Sequence, residues 1–210
     1  MKSQIKRRLF VAVGIAFVLW GIMFFPMSAP FVPFWTAMSA SAILLLLLSF
    51  RFRKDWGETL KFTPFSFLCG AGLAAFLWGV FWLGNKVSAW FFAFAPGQID
   101  HVYALKEGAS PFFIGFLLLA LIGPAEEIFW RGYVQRTFSD LYGKNMAAFL
   151  AIASYTLVHL FSLNFMLLVA AAVLGVVWST IYRFYPKQLP TLIVSHALWD
   201  AAVFVFFPFR

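Results

Sequence analysis

Few residues in this chain have side chains that could do chemistry. In GPAEEIFWRGYVQR, from Gly123 to Arg136, two carboxylates stand side by side after a proline, at the end of a hydrophobic run. An ionised carboxylate in hydrocarbon is costly, so a chain that keeps one there generally uses it. On a helix Glu127 and Arg131 are four residues apart and share a face, acid before base, which is the favourable order. Glu126 points about 100° away and has no such partner. One carboxylate is thus neutralised and the other left for chemistry; the plainer alternative is an ion pair that marks the membrane boundary. Pro124 lacks an N–H and should free the carbonyl of Ala120, kinking the helix where the carboxylates begin.

Two histidines complete the set. His159 lies in YTLVHLFSLN four residues after Tyr155, and His196 lies in SHALWD four before Asp200, so each pair shares a helix face. Either histidine alone is ordinarily a satisfied core residue. A carboxylate with two imidazoles, however, is what water activation requires, by general base or on a metal. Glu126, His159 and His196 could hold zinc with an open position, although no helix carries a two-histidine pair such as HExxH. The favoured reading requires no cofactor. Asp55, Glu58, Asp100, His101, Glu107 and Asp140 all fall between apolar runs. The same buried cluster would also suit an ion- or proton-coupled transporter. A scaffold or immunity protein that keeps it for packing is another alternative, and a haem site on the two histidines a weaker one.

The elements that position these residues are membrane helices. With 63% hydrophobic and 11% charged residues, the 210-residue chain cannot cover a water-facing surface, which takes roughly 25% charged residues. Apolar runs near Leu9–Phe25, Phe34–Phe50, Phe65–Leu83, Phe112–Trp130, Ala147–Phe161, Phe165–Tyr182 and Thr191–Phe207 predict about seven spans, the fifth the shortest. The fold class is therefore an all-α polytopic bundle. The first run follows MKSQIKRR, but proline follows the small-residue site in MSAP, which predicts an uncleaved span. Trp90, Phe91, Phe92 and Phe94 in the stretch Gly84–Ser110 predict an interfacial segment. Ala171, Gly175 and Ser179 would let the sixth span pack closely on a neighbour. Cys69, the single cysteine, reads as a buried thiol. One domain, residues 1–210, is expected, with 1–110 as scaffold spans and 111–210 carrying the motifs.

The net charge of +8 is explained by topology rather than nucleic acid. Lys2, Lys6, Arg7, Arg8, Arg51, Arg53, Lys54, Lys61, Arg131, Arg136, Lys144, Arg183 and Lys187 fall on one side of the spans. Only Lys86, Lys106 and Arg210 fall on the other. The positive-inside rule then puts the N-terminus in the cytoplasm and the C-terminus outside, in a plasma membrane of prokaryotic type.

The ordered motifs resemble a known family. EEIFWR matches EExxxR, YTLVH approximates FxxxH, and HALWD matches Hxxx(N/D). This order on three successive membrane regions is similar to the CAAX-protease and bacteriocin-processing (Abi) family of intramembrane proteases, which includes the type II CAAX prenyl endopeptidases. The similarity covers roughly Gly115 to Phe204. Tyr155 stands where the family usually has phenylalanine, and Asp200 where the prenyl endopeptidases have asparagine. The resemblance implies hydrolysis of a peptide bond in a membrane-associated or lipidated substrate. Glu126 would activate water with help from His159, while His196 and Asp200 stabilise the oxyanion. Glu127, Arg131, Tyr155 and Asn164 would support them.

Depth poses a difficulty. Glu126 lies ten residues before Arg136, about 15 Å above a helix end placed there, whereas His159 nearly reaches the turn Ser162–Asn164. For the two to share one water, that turn should be drawn inside the bundle, with Asn164 satisfying it or facing the water. The alternative is an ordinary helix-capping turn at the outer interface.

Overall fold

The computed structural model describes residues 2–209; Arg210, counted above with the sparse basic residues of the far side, lies outside them. The described residues form no strand. In chain order the helices are α1 (Lys2–Phe24), α2 (Phe34–Phe52), α3 (Pro64–Phe91), a short α4 (Ala95–Ala104), α5 (Pro111–Tyr142), α6 (Lys144–Ser162), α7 (Phe165–Phe184) and α8 (Pro186–Phe206). All but α4 are long and apolar enough to cross a membrane. Outward faces carry large apolar side chains such as Leu68, Phe116 and Phe149, which only lipid can solvate favourably. The chain is an all-α polytopic membrane protein.

Two spans outrun their hydropathy. The third continues to Phe91 rather than stopping at Leu83, so the first part of Gly84–Ser110 is helix and not loop. Two of its polar residues are paired: Asn85 Nδ2 donates to the Phe209 carbonyl and Ser88 Oγ to the Asn85 carbonyl. A capping box between Thr63 and Ser66, with Pro64 in the first turn, starts this helix. The fourth span runs on past Trp130 to Tyr142, because its polar extension is buried against other helices; Gln135, for example, donates to the Ser179 carbonyl on α7. The fifth, read as the shortest, reaches the same 19 residues as α2.

Most of the basic residues gather at one end, although Arg131, counted with them from sequence, is buried within the bundle against Glu127. Arg53 pairs with Asp140 at 2.8 Å, Arg136 pairs with Asp55 at 2.6 Å, and the Arg8 guanidinium lies over Phe52. Arg183 donates to Asn145 there as well. At the opposite end α4 lies across α7, held by Gln98, and Trp35 Nε1 donates to the Leu105 carbonyl just beyond it. Trp90, Phe91, Phe92 and Phe94 surround the exposed junction between α3 and α4.

Close approaches fix the bundle around the carboxylates. A Cβ on Gly123 would stand 2.8 Å from the Ala197 Cα and 2.9 Å from its N, so only glycine lets α8 lie this near α5. The fit at Gly175 of α7 is less strict: a Cβ there would stand 3.2 Å from the Tyr155 ring of α6, beside buried Ala171 and Ser179. Gly123→Ala is therefore expected to push α8 away and to lower stability by about 1–3 kcal/mol, as overpacking does. Thermal unfolding in detergent measures the loss.

Candidate active site

The carboxylates sit in a five-residue α-helical piece of α5, Gly123–Glu127, between two π-helical stretches, Leu118–Ile122 and Ile128–Gln135. The proline is met by the first of these: the Gly123 N–H bonds to the Leu118 carbonyl, one residue farther back than in an α-helix. The wider turn accommodates the N–H that Pro124 lacks. Such bulges occur often at functional sites.

Glu127 and Arg131 are both completely buried, with Arg131 Nη1 donating to Glu127 Oε1 at 2.7 Å. The same oxygen also lies 2.9 Å from His196 Nδ1. His196 Nε2 in turn faces Asp200 Oδ2 at 3.3 Å. Glu127 is thus more than the partner of Arg131: it clamps an imidazole from α8. An imidazole with a carboxylate at each nitrogen donates to both when it carries two protons. In that form Arg131, Glu127, His196 and Asp200 sum to zero charge. Trp178 of α7 backs the chain of charges, stacked on His196 at 4.1 Å and 5.3 Å from the Arg131 guanidinium. The Tyr155 ring faces the guanidinium from the other helix at 4.6 Å. Arg131 Nε and Nη2 find no acceptor and meet these π faces instead.

Glu126 stands apart. It is 6% exposed, and its Oε2 is buried without a protein hydrogen-bond partner. It lines a largely apolar cavity of about 570 Å³ together with Tyr155, His159, His196 and Asp200. His159 is held from two sides. Its Nδ1 lies 2.8 Å from the Tyr155 carbonyl, which can only accept, so in the neutral ring the proton is on Nδ1. Nε2 then accepts from the indole N–H of Trp20 on α1, at 3.4 Å.

The depth difficulty is resolved at α5 rather than at the hairpin. The turn is not drawn into the bundle: Leu163 is 67% exposed, with a φ of 49°. Asn164 caps α7 by accepting from the Leu167 N–H and ties the turn to α4 by donating to the Gln98 carbonyl. It satisfies the turn and takes no part in the acid–imidazole cluster. Because α5 runs to Tyr142, Glu126 lies 16 residues from that helix end, and His159 lies 15 from Lys144 at the start of α6. At 1.5 Å per residue both stand roughly 22–24 Å from the basic end. They are level without any buried loop.

All four proposed catalytic side chains reach one cavity, and Glu127, Arg131 and Tyr155 lie against them. Trp20 and Trp178 were not singled out from sequence. An indole is a common membrane residue, and nothing in the spacing ties Trp20 to a histidine 139 residues away. For Trp178 a signal exists, since it lies on the small-residue face of the sixth span, between Gly175 and Ser179. Among the described residues no three His, Cys, Asp or Glu side chains converge as metal ligands. His196 turns both nitrogens to carboxylates and His159 turns its own to a carbonyl and an indole, so no pair of free lone pairs is aimed with Glu126.

Comparison with known proteins agrees with the motifs. The model of the family described as "Type II CAAX prenyl endopeptidase Rce1-like" matches residues 108–202. No curated protein and no solved structure matches the chain. The matched stretch begins just before α5 and ends at Ala202, where α8 turns π-helical, so it holds every member of the acid–imidazole cluster. Over residues 108–202, a little under half of its length, the chain is similar to the Rce1-like family of type II CAAX prenyl endopeptidases.

Proposed function

We propose that the protein is an intramembrane endopeptidase that hydrolyses a peptide bond with a water activated by Glu126. The observation that carries this reading is the contrast between neighbours. Glu127 is consumed by Arg131 and His196, whereas Glu126 keeps a carboxylate oxygen free of protein partners on the wall of a shared cavity. Glu126 takes a proton from water as the water oxygen bonds to the substrate carbonyl carbon, and returns it to the amine as the C–N bond breaks. His159 presents Nε2 as an acceptor to the same water; the 3.4 Å indole contact is longer than an ordinary N–H···N bond and yields to it. His196 supplies the oxyanion donor, since its Nε2–H is held only at 3.3 Å by Asp200, which orients the ring. Glu127 fixes the other side of that ring.

The apolar cavity suits a substrate that arrives within the membrane, as a lipidated C-terminus, a leader peptide or an anchored protein. The chain sits in a plasma membrane of prokaryotic type with its N-terminus in the cytoplasm. The test is a comparison of newly cleaved N- and C-termini between cells carrying the wild type and Glu126→Gln; termini lost in the variant identify substrates, and identical sets refute the hydrolytic reading.

Hydrolysis on this reading uses carboxylate and imidazole alone. Purified protein treated with a chelator is expected to keep its activity within about twofold, against the loss that removal of a catalytic zinc brings. Activity that disappears on chelation and returns with substoichiometric zinc would move Glu126, His159 and His196 into ligand roles.

A further inference from the structure

The cavity and the basic residues occupy opposite ends of the bundle, and this bears on where substrates come from. From the site upward the cavity is lined by the half of each helix remote from the basic end: Phe24 at the end of α1, Trp35 at the start of α2, Phe81 and Ser88 in the second half of α3, and Phe165 at the start of α7. Helix α4 and the segment after it close the top through Tyr103 and Leu105. Nothing from the basic end, where Arg53, Asp55, Arg136 and Asp140 interlock, contributes to the wall.

The wall also has a side opening. Helix α3 packs along α8 and α7 along α6, while α3 and α7 make little direct contact beyond the Phe92 ring, just after α3, set against Phe165 at the start of α7. Val80 and Val87 of α3 and Phe165 and Val169 of α7 line the cavity and are nonetheless exposed. Apolar side chains that face both a cavity and the outside, in a membrane span, border a passage to lipid. A peptide that entered from water would meet α4 first, latched by Gln98 to Asn164 and to Met166.

Resting on the hydrolytic reading above, we infer that the substrate is a polypeptide anchored in the non-cytoplasmic leaflet, entering laterally between α3 and α7. The cluster of basic residues faces the cytoplasm by the positive-inside rule, so the cavity mouth faces the other leaflet. An apolar anchor, either a transmembrane segment or an acyl chain, occupies the passage, and the adjoining peptide backbone reaches Glu126. A cytoplasmic protein carrying a lipid on its C-terminus lies in the wrong leaflet for this mouth.

Two measurements on the full chain test the inference. In a Cys69→Ser background, His101→Cys on exposed α4 and Lys54→Cys on the basic end are treated with a membrane-impermeant maleimide in intact bacterial cells. Labelling of H101C in intact cells, and of K54C only after permeabilisation, is expected. The reverse pattern overturns the inference whatever the activity. The cleaved termini that depend on Glu126 are then mapped on their parent proteins. They are expected beside the non-cytoplasmic end of a transmembrane segment or a lipid-modified residue, and the parent's anchor tells the two apart. Termini in cytoplasmic segments overturn the inference even with H101C labelled from outside. Outside labelling with no Glu126-dependent termini overturns the hydrolytic reading, and with it the substrate, while leaving the orientation standing.

Discussion

Glu126→Gln abolishes cleavage and leaves the protein folded: that is the expected result with the largest effect. Glutamine keeps the size of glutamate, and the buried Oε2 it replaces makes no protein hydrogen bond, so no partner is stranded. What disappears is the base. General-base catalysis contributes roughly 10²–10⁴-fold, so purified E126Q should fall by at least that range while its thermal unfolding stays within about 1 °C of wild type. A variant that loses both activity and fold would assign Glu126 to packing instead.

The second expected result is the opposite division. Arg131→Ala removes the guanidinium from a fully buried pair and leaves Glu127 with only the His196 imidazole for compensation. Breaking a buried pair by removing one partner costs about 3–5 kcal/mol. For a domain of this size that corresponds to a fall in apparent Tm of roughly 6–20 °C. The π contacts with Tyr155 and Trp178 go at the same time, so Arg131→Lys should recover part of the loss and not all. Since Glu127 also holds His196, Glu127→Gln should lower both stability and activity. An Arg131→Ala protein as stable as wild type would contradict the buried-pair account.

The bundle and the cluster were legible in the sequence to different degrees, for physical reasons. Seven spans could be read because a run of apolar residues is the direct requirement of hydrocarbon. Their ends were misread wherever polar residues found partners inside the protein, as Asn85 does on α3 and Gln135 on α5. Hydropathy scores a residue, not its partner. The pairing of Glu127 with Arg131 could be read because it is local, four residues apart on one helix. The bond from Glu127 to His196 could not be, since it depends on how closely α8 approaches α5, and Gly123 permits that approach without announcing it. The supposed buried hairpin failed for a related cause: it assumed that α5 ends at Arg136, and six more helical residues level Glu126 with His159.

The indole of Trp20 makes the matched half of the chain incomplete by itself. Until water takes its place, the Nε2 of His159 is held by a donor from a helix that closes 84 residues before the family match begins at residue 108. Grafting residues 108–202 onto unrelated membrane helices would carry over the acids and imidazoles without that donor. Conversely, a chain split in the loop between α2 and α3 should function only when both fragments are produced together. The first helix is then a working part rather than a spacer, and a genetic screen for suppressors of His159 substitutions should return changes at position 20.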